Sequence, residues 1–185
     1  MNDETKAAAI IESDQWMMQC LRTAAKLNLY DWYIGAGFVR NKIWDVLHGY
    51  EQRTPLNDVD VVYFDREIAD ISHDKALEQQ LHEMMPGVPW SVINLAHIHK
   101  RYDQKPFSDS THAISFWPEI PTCVGVRLDL TDEKLAFTAP YGWREIFNLE
   151  VKPTTGNQVP LGVYQGRIAK KQWHKIWPKL QIEHG

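Results

Sequence analysis

The chain has 185 residues, with 20 Lys and Arg against 24 Asp and Glu, for a net charge of −4. That length is enough to bury a proper core in one domain, residues 1–185, and the acidic balance argues against tight nonspecific nucleic-acid binding while leaving room for a local basic face. The two cysteines, Cys20 and Cys123, form neither a metal-binding pair nor a disulfide framework, and no apolar stretch approaches the roughly 20 residues needed to span a bilayer, so a cytoplasmic protein with no membrane partner is expected.

In chain order, residues 4–27 have helical character with a break near Ser13-Asp14, and Trp16, Cys20, Ala24 and Leu27 recur at core-facing spacing. Residues 32–34 read as a first strand. Gly35-Ala36-Gly37 turns the chain into a helix over 38–47 that stops at His48-Gly49. A polar connection with Pro55 leads to a strand over 58–64, then a helix over 74–85 ended by Pro86-Gly87. Residues 90–97 read as a third strand, 100–112 as a polar loop, and 123–130 with 135–138 as a hairpin. A short helix follows Pro140-Tyr141-Gly142. Residues 152–162 form a Pro/Gly-rich loop, and 164–177 form a last amphipathic helix packed on a core of about 14–150. The class is α/β or α+β, a mixed sheet flanked by helices.

Two pieces of this pattern carry chemistry. Gly35-x-Gly37 is expected to take positive φ and let the backbone approach a phosphate, with the following helix aiming free N–H groups at the same spot. Arg40 adds a two-pronged cation in the first turn. Asp58 and Asp60 alternate along a strand, so both face one side about 7 Å apart. Paired carboxylates are oxygen ligands for Mg²⁺ or Mn²⁺, and the metal bridges protein to polyphosphate. Glycine turn, helix start and acidic pair together describe nucleotidyl or phosphoryl transfer from a nucleoside triphosphate.

That order of motifs resembles the DNA polymerase beta-type nucleotidyltransferase superfamily. The stretch from Gly35 to Gly49 followed by Asp58-Val59-Asp60 is similar to the head motif of CCA-adding enzymes and bacterial poly(A) polymerases. A small bacterial nucleotidyltransferase-like family is the closer resemblance, extending through Asn94, His99, Thr122, Val126-Arg127-Leu128, Ala139-Pro140-Tyr141-Gly142 and Lys171-x-Trp173 to Trp177-Pro178. It implies a polymerase beta-like fold in which Asp58 and Asp60 are the catalytic, metal-binding carboxylates. Gly35, Gly37 and the helix start would hold the triphosphate, and an acceptor hydroxyl would attack the α-phosphate. The superfamily's third carboxylate on a neighbouring strand has no obvious counterpart. Asn94, a neutral oxygen ligand, and Asp129 are the candidates for that place.

Other residues have a plainer reading beside the functional one. Arg127 is either an ion-pair partner or a phosphate contact. Asp45 reads as a structural partner of Arg40 or Lys42, Asn57 as a turn residue, Thr122 as a strand-start cap, and His97 and His99 as surface or supporting groups. The series Arg167, Lys170, Lys171, Lys175 and Lys179 reads as a solvated helix face with Trp173 and Trp177 packed beneath it. A noncatalytic nucleotide- or RNA-binding protein is the alternative. A dinucleotide-binding protein is disfavoured because Arg40 stands where a third glycine belongs. The acceptor, whether small molecule, protein or RNA, is unreadable, though tRNA tailing is disfavoured. A tryptophan-rich surface favours a homodimer.

Overall fold

The computed structural model describes residues 2–184 except 69, 103 and 155–158. Parts of the expected loops over 100–112 and 152–162 therefore lie outside the described residues. Two helices open the chain, α1 (Asp3–Glu12) and α2 (Gln15–Ala25), started by the Asn2 and Asp14 side chains. Asp14 accepts from the Met17 N–H, which explains the break expected at Ser13-Asp14. The buried face of α2 carries Met17, Met18, Cys20, Leu21, Ala24 and Ala25, while Trp16 and Leu27 are only partly buried against it.

Strand β1 (Trp32–Gly35) leads into α3 (Gly37–His48), and β2 (Val59–Tyr63) leads through α4 (Ile71–Met84) to β3 (Trp90–Asn94). A short helix α5 (Ser110–Ile114) precedes the hairpin of β4 (Gly125–Leu128) and β5 (Leu135–Thr138). The sheet order is β3-β2-β1-β4-β5, parallel only between β2 and β3, so the expected mixed sheet is found. The chain then adds α6 (Arg144–Phe147), β6 (Glu150–Val151), α7 (Leu161–Lys171), α8 (Trp173–Ile176) and β7 (Gln181–Ile182). Strands β6 and β7 form a separate parallel pair that periodicity does not reveal at two residues each.

Two expectations change in detail. The last helix is broken at Gln172, whose left-handed φ of 48° separates α7 from α8. That break turns both Trp173 and Trp177 inward, where their rings meet Trp44 edge-on at 5.6 and 5.2 Å. The third strand ends at Asn94 rather than at residue 97, and the chain continues as a 3-10 segment (Leu95–Tyr102). Asn94 causes the stop, because its side-chain oxygen accepts from the Ala96 N–H.

Strand parity divides the sheet into two faces. Trp32, Ile34, Val59, Val61, Tyr63, Trp90, Val92, Val126 and Leu128 lie in the larger core, with the packed faces of α1–α4. Tyr33, Val62 and Phe64 point the other way, into a smaller cluster with Leu95, Phe107, Ile114 and Phe116. At the open edge of β3, the Val92 and Asn94 N–H groups donate to Glu78 and Asp74 on α4, at 3.2 and 3.1 Å. These bonds blunt an edge that would otherwise template pairing. Among the described residues no helix is long and apolar enough to cross a membrane.

Gly125 shows how tight the centre is. A Cβ there would stand 2.8 Å from Tyr33 Cβ and 3.1 Å from Thr138 Cγ2. Gly125→Ala is expected to cost about 1–3 kcal/mol of stability through overpacking, read as a lower urea midpoint at unchanged slope. An unchanged midpoint would mean that the strand shifts freely.

Candidate functional site

The smaller face is left open at one end of the sheet, where β1 ends and β2 begins. The Gly35 turn and Asp60 meet there, because Ile34 pairs with Val61 across the two strands. A cleft of about 170 Å³ opens at this point, lined among others by Ala36, Gly37, Asn57, Asp58 and Asp60. Of the sequence-expected residues, Gly37 and both carboxylates are thus brought together in the lining, while Gly35, the last residue of β1, is not part of it.

The turn achieves this differently from the expectation. Neither Gly35 nor Gly37 has positive φ; Ala36 does, at φ 53° and ψ −120°. An alanine held there stores about 1–3 kcal/mol of strain. It is fixed by its N–H to the Val124 carbonyl at 2.9 Å and by the Arg40 N–H to its own carbonyl at 3.0 Å. Gly35 is needed for space: a Cβ would lie 2.6 Å from Trp117 Cη2. The helix that follows begins without a side-chain cap, whereas α1, α2, α4 and α5 are capped by Asn2, Asp14, Asp70 and Asp109. Helices α6–α8 also start uncapped, and Trp173 at the start of the four-residue α8 lines this cleft too, but α3, with 12 residues, is the longer helix that starts beside Asp58 and Asp60. Its first N–H groups are free of intrahelical partners and its dipole favours an anion.

Asp58 is exposed and Asp60 half-buried. Burial, then the neighbouring Asp58 charge, pushes the Asp60 carboxyl up to about 6. Ser91, its register partner on β3, together with Lys171 and Arg167, acts in the opposite sense without offsetting this. The pair is therefore a concentration of negative charge that a cation would relieve. No third His, Cys, Asp or Glu joins it to complete a cluster among the described residues.

The cations differ most from the expectation. Arg40 lines the cleft but is only 5% exposed. Its guanidinium donates to Thr122 Oγ1 at 2.5 Å and to Asn41 Oδ1, and lies over the rings of Trp173 and Trp44 at 4.3 and 5.1 Å. Burial pushes it down to about 10, so it stays charged at neutral pH as a fixed positive centre beneath the cleft. The half-exposed cations facing the cleft are Arg167 and Lys171, four residues apart on α7, which had read as part of a solvated face. Tyr164 and Ile168 form the buried face of the same helix, a signal for which side of α7 packs inward but not for the cleft that the other side meets. Arg167 is aimed by the wholly buried Glu119, whose Oε1 accepts from its Nε at 2.5 Å. Glu119 Oε2 has no partner among the described residues.

Three other candidates are not brought to the cleft. Asn94 pairs with Tyr63, on the opposite face from Asp60. It holds the loop after β2 by accepting from the Asp65 N–H and donating to the Asp65 and Ile68 carbonyls. Asp129 is exposed beyond the far end of β4, where it accepts from the Thr131 N–H and hydroxyl. Arg127 lies over Tyr33 at 5.4 Å and lines a separate hollow with Asp31 and Asp109. Asp45 is structural, as read, but binds Thr54 and Trp177 rather than Arg40 or Lys42. His97 and His99 are bonded to the Ile68 and Ala96 carbonyls.

A family profile described as nucleotidyltransferase matches residues 22–182. A solved structure described as a CCA-adding enzyme head domain is similar over 98% of this chain and 96% of its own, with TM-score 0.84 and 28% identity. Complexes of CCA-adding enzyme with ATP and with CTP, each 12% identical, share the fold at TM-scores of 0.56 and 0.61 over 90% and 98% of this chain. The chain spans 39% and 43% of their lengths. No curated protein sequence matches significantly.

Proposed function

Because the chain belongs to the nucleotidyltransferase family, we propose that the cleft at Asp58 and Asp60 moves a nucleoside monophosphate from a nucleoside triphosphate to an acceptor hydroxyl. The observation that carries this is the uncapped start of α3 in one cleft with the two carboxylates. The helix start and Gly37 receive the β- and γ-phosphates, with Arg167 and Lys171 closing over them and Arg40 supplying charge from below. The acceptor oxygen bonds to the α-phosphorus as the bond from that phosphorus to the bridging oxygen breaks. Pyrophosphate leaves with the electron pair, and the hydroxyl proton passes to solvent.

The donor set fits Mg²⁺ or Mn²⁺: two hard carboxylates crowded enough to lift Asp60, with substrate phosphates and water to complete the shell. Bound there, the ion neutralises charge developing on the α-phosphate. Two buried free thiols, Cys20 and Cys123, fit a reducing, cytoplasmic setting.

Phosphorus NMR of the four nucleoside triphosphates with Mg²⁺ and simple alcohols tests the bond broken. Wild type is expected to release pyrophosphate, and Asp58→Ala/Asp60→Ala to release none. Orthophosphate and a nucleoside diphosphate as products would overturn the reading. One observation favours a second reading, a nucleotide-binding protein without turnover: Ser91, not a carboxylate, stands opposite Asp60. That protein would bind the nucleotide and release nothing.

A further inference from the structure

A second cavity, of about 300 Å³, adjoins the first and shares Ala36, Asp60, Thr122 and Arg167 with it. It runs away from the helix start, across the smaller face of the sheet. Beyond the shared wall its lining is mainly apolar, from Val62, Ile93, Leu95, Ile98, Trp117 and Val163. Phosphate has less to hold it there: Gly37, the first residue of α3, and Lys171 line the first cleft and not this one.

We infer that this cavity is the acceptor site, and that the acceptor is a small alcohol with a compact apolar, ring-bearing body rather than a nucleic-acid end. The inference rests on the nucleotidyl-transfer reading above and specifies its second substrate. In-line displacement puts the attacking and leaving oxygens on opposite sides of phosphorus. Pyrophosphate leaves toward the start of α3, so the attacking hydroxyl arrives from the other side of Asp60, where this cavity lies. The mainly apolar wall favours a hydrocarbon body and disfavours the charged backbone of a nucleic acid, for which Arg167 is the one cation in the lining among the described residues. Trp117 offers a ring surface for a flat group, held in place by its close fit against Gly35.

The test uses 2-phenylethanol as probe, read by saturation-transfer NMR on wild type, Val163→Trp and Ile98→Gln. MgATP and MgCTP binding is measured on the same samples by calorimetry. Val163 is 41% exposed on α7, so a larger ring is tolerated there while it fills the cavity. Wild type is expected to bind the probe, and both variants to bind it roughly tenfold more weakly as apolar contact is lost or blocked, with nucleotide affinity unchanged. A wild type that binds MgATP but not the probe overturns the acceptor class alone. So does equal probe binding by all three proteins. Variants that lose nucleotide together with probe would assign the cavity to the nucleoside and overturn the acceptor role. A wild type that binds the probe and never a nucleotide overturns the transferase reading and the acceptor assignment with it.

Discussion

Asp60→Asn is expected to make the protein more stable and to abolish its function. The folded protein holds the Asp60 carboxyl up to about 6 from an ordinary value of 3.8, through burial and the Asp58 charge. A carboxylate raised on folding binds its proton more tightly in the folded state. The Asp60 contribution to stability is therefore most favourable below about pH 4, falls as pH rises from about 4 to 6, and stays flat above. Removing the charge should recover on the order of 1–2 kcal/mol at pH 8, allowing for partial solvent access, and nothing at pH 3.5. Urea denaturation at the two pH values reads this directly. Pyrophosphate release by the same variant should fall by about 10³ or more, the scale on which electrostatic groups at a reacting centre act. A variant that is destabilised at pH 8, or that keeps its turnover, would show that Asp60 is an ordinary structural acid.

Asp45→Ala should do the opposite to stability. Asp45 is 2% exposed and accepts from the Thr54 N–H at 2.9 Å, the Thr54 hydroxyl at 2.6 Å and the Trp177 indole N–H at 2.8 Å. It ties the segment before β2 to the end of α8, and that segment supplies Thr54 to Asp58 to the cleft wall. Truncation leaves three donors without their acceptor and a cavity beside Trp44, Trp173 and Trp177. The expected cost is about 3–5 kcal/mol, with weaker nucleotide binding as the segment loosens. Asp45→Asn keeps the shape and one acceptor oxygen, so it should cost less than half as much. Equal losses in both variants would mean that charge, not the bonded geometry, matters.

The two residues also mark what a sequence carries and what it does not. Gly35, Gly37, Asp58 and Asp60 were legible because their job is local: a turn, a helix start and a strand with alternate acids can be read within 30 residues. Their meeting follows from the neighbouring β1 and β2. Arg40 was placed correctly at the helix start but its burial was not legible, since it depends on Thr122 and Trp173 closing over it from far along the chain. Asn94 illustrates strand parity. In the observed register Asp60 faces Ser91, which puts Asn94 on the opposite side from the acids, next to Tyr63. No pattern within β3 reveals that pairing. Arg127 sits on β4, a strand that does reach the turn, but at Gly125, and Asp129 lies just past its other end. The i, i+4 pair Arg167 and Lys171 was seen and read as solvated. The break at Gln172, which no helical period predicts, folds the tryptophans under and brings that face over the cleft.

Isothermal titration of each nucleoside triphosphate with and without Mg²⁺, into wild type and Asp58→Ala/Asp60→Ala, tests the central claim most directly. The account predicts binding that needs both the metal and the carboxylates: wild type binds at least one nucleotide with Mg²⁺, and the variant, though folded, binds none measurably. Equal affinity in the two proteins, or binding indifferent to Mg²⁺, would contradict it.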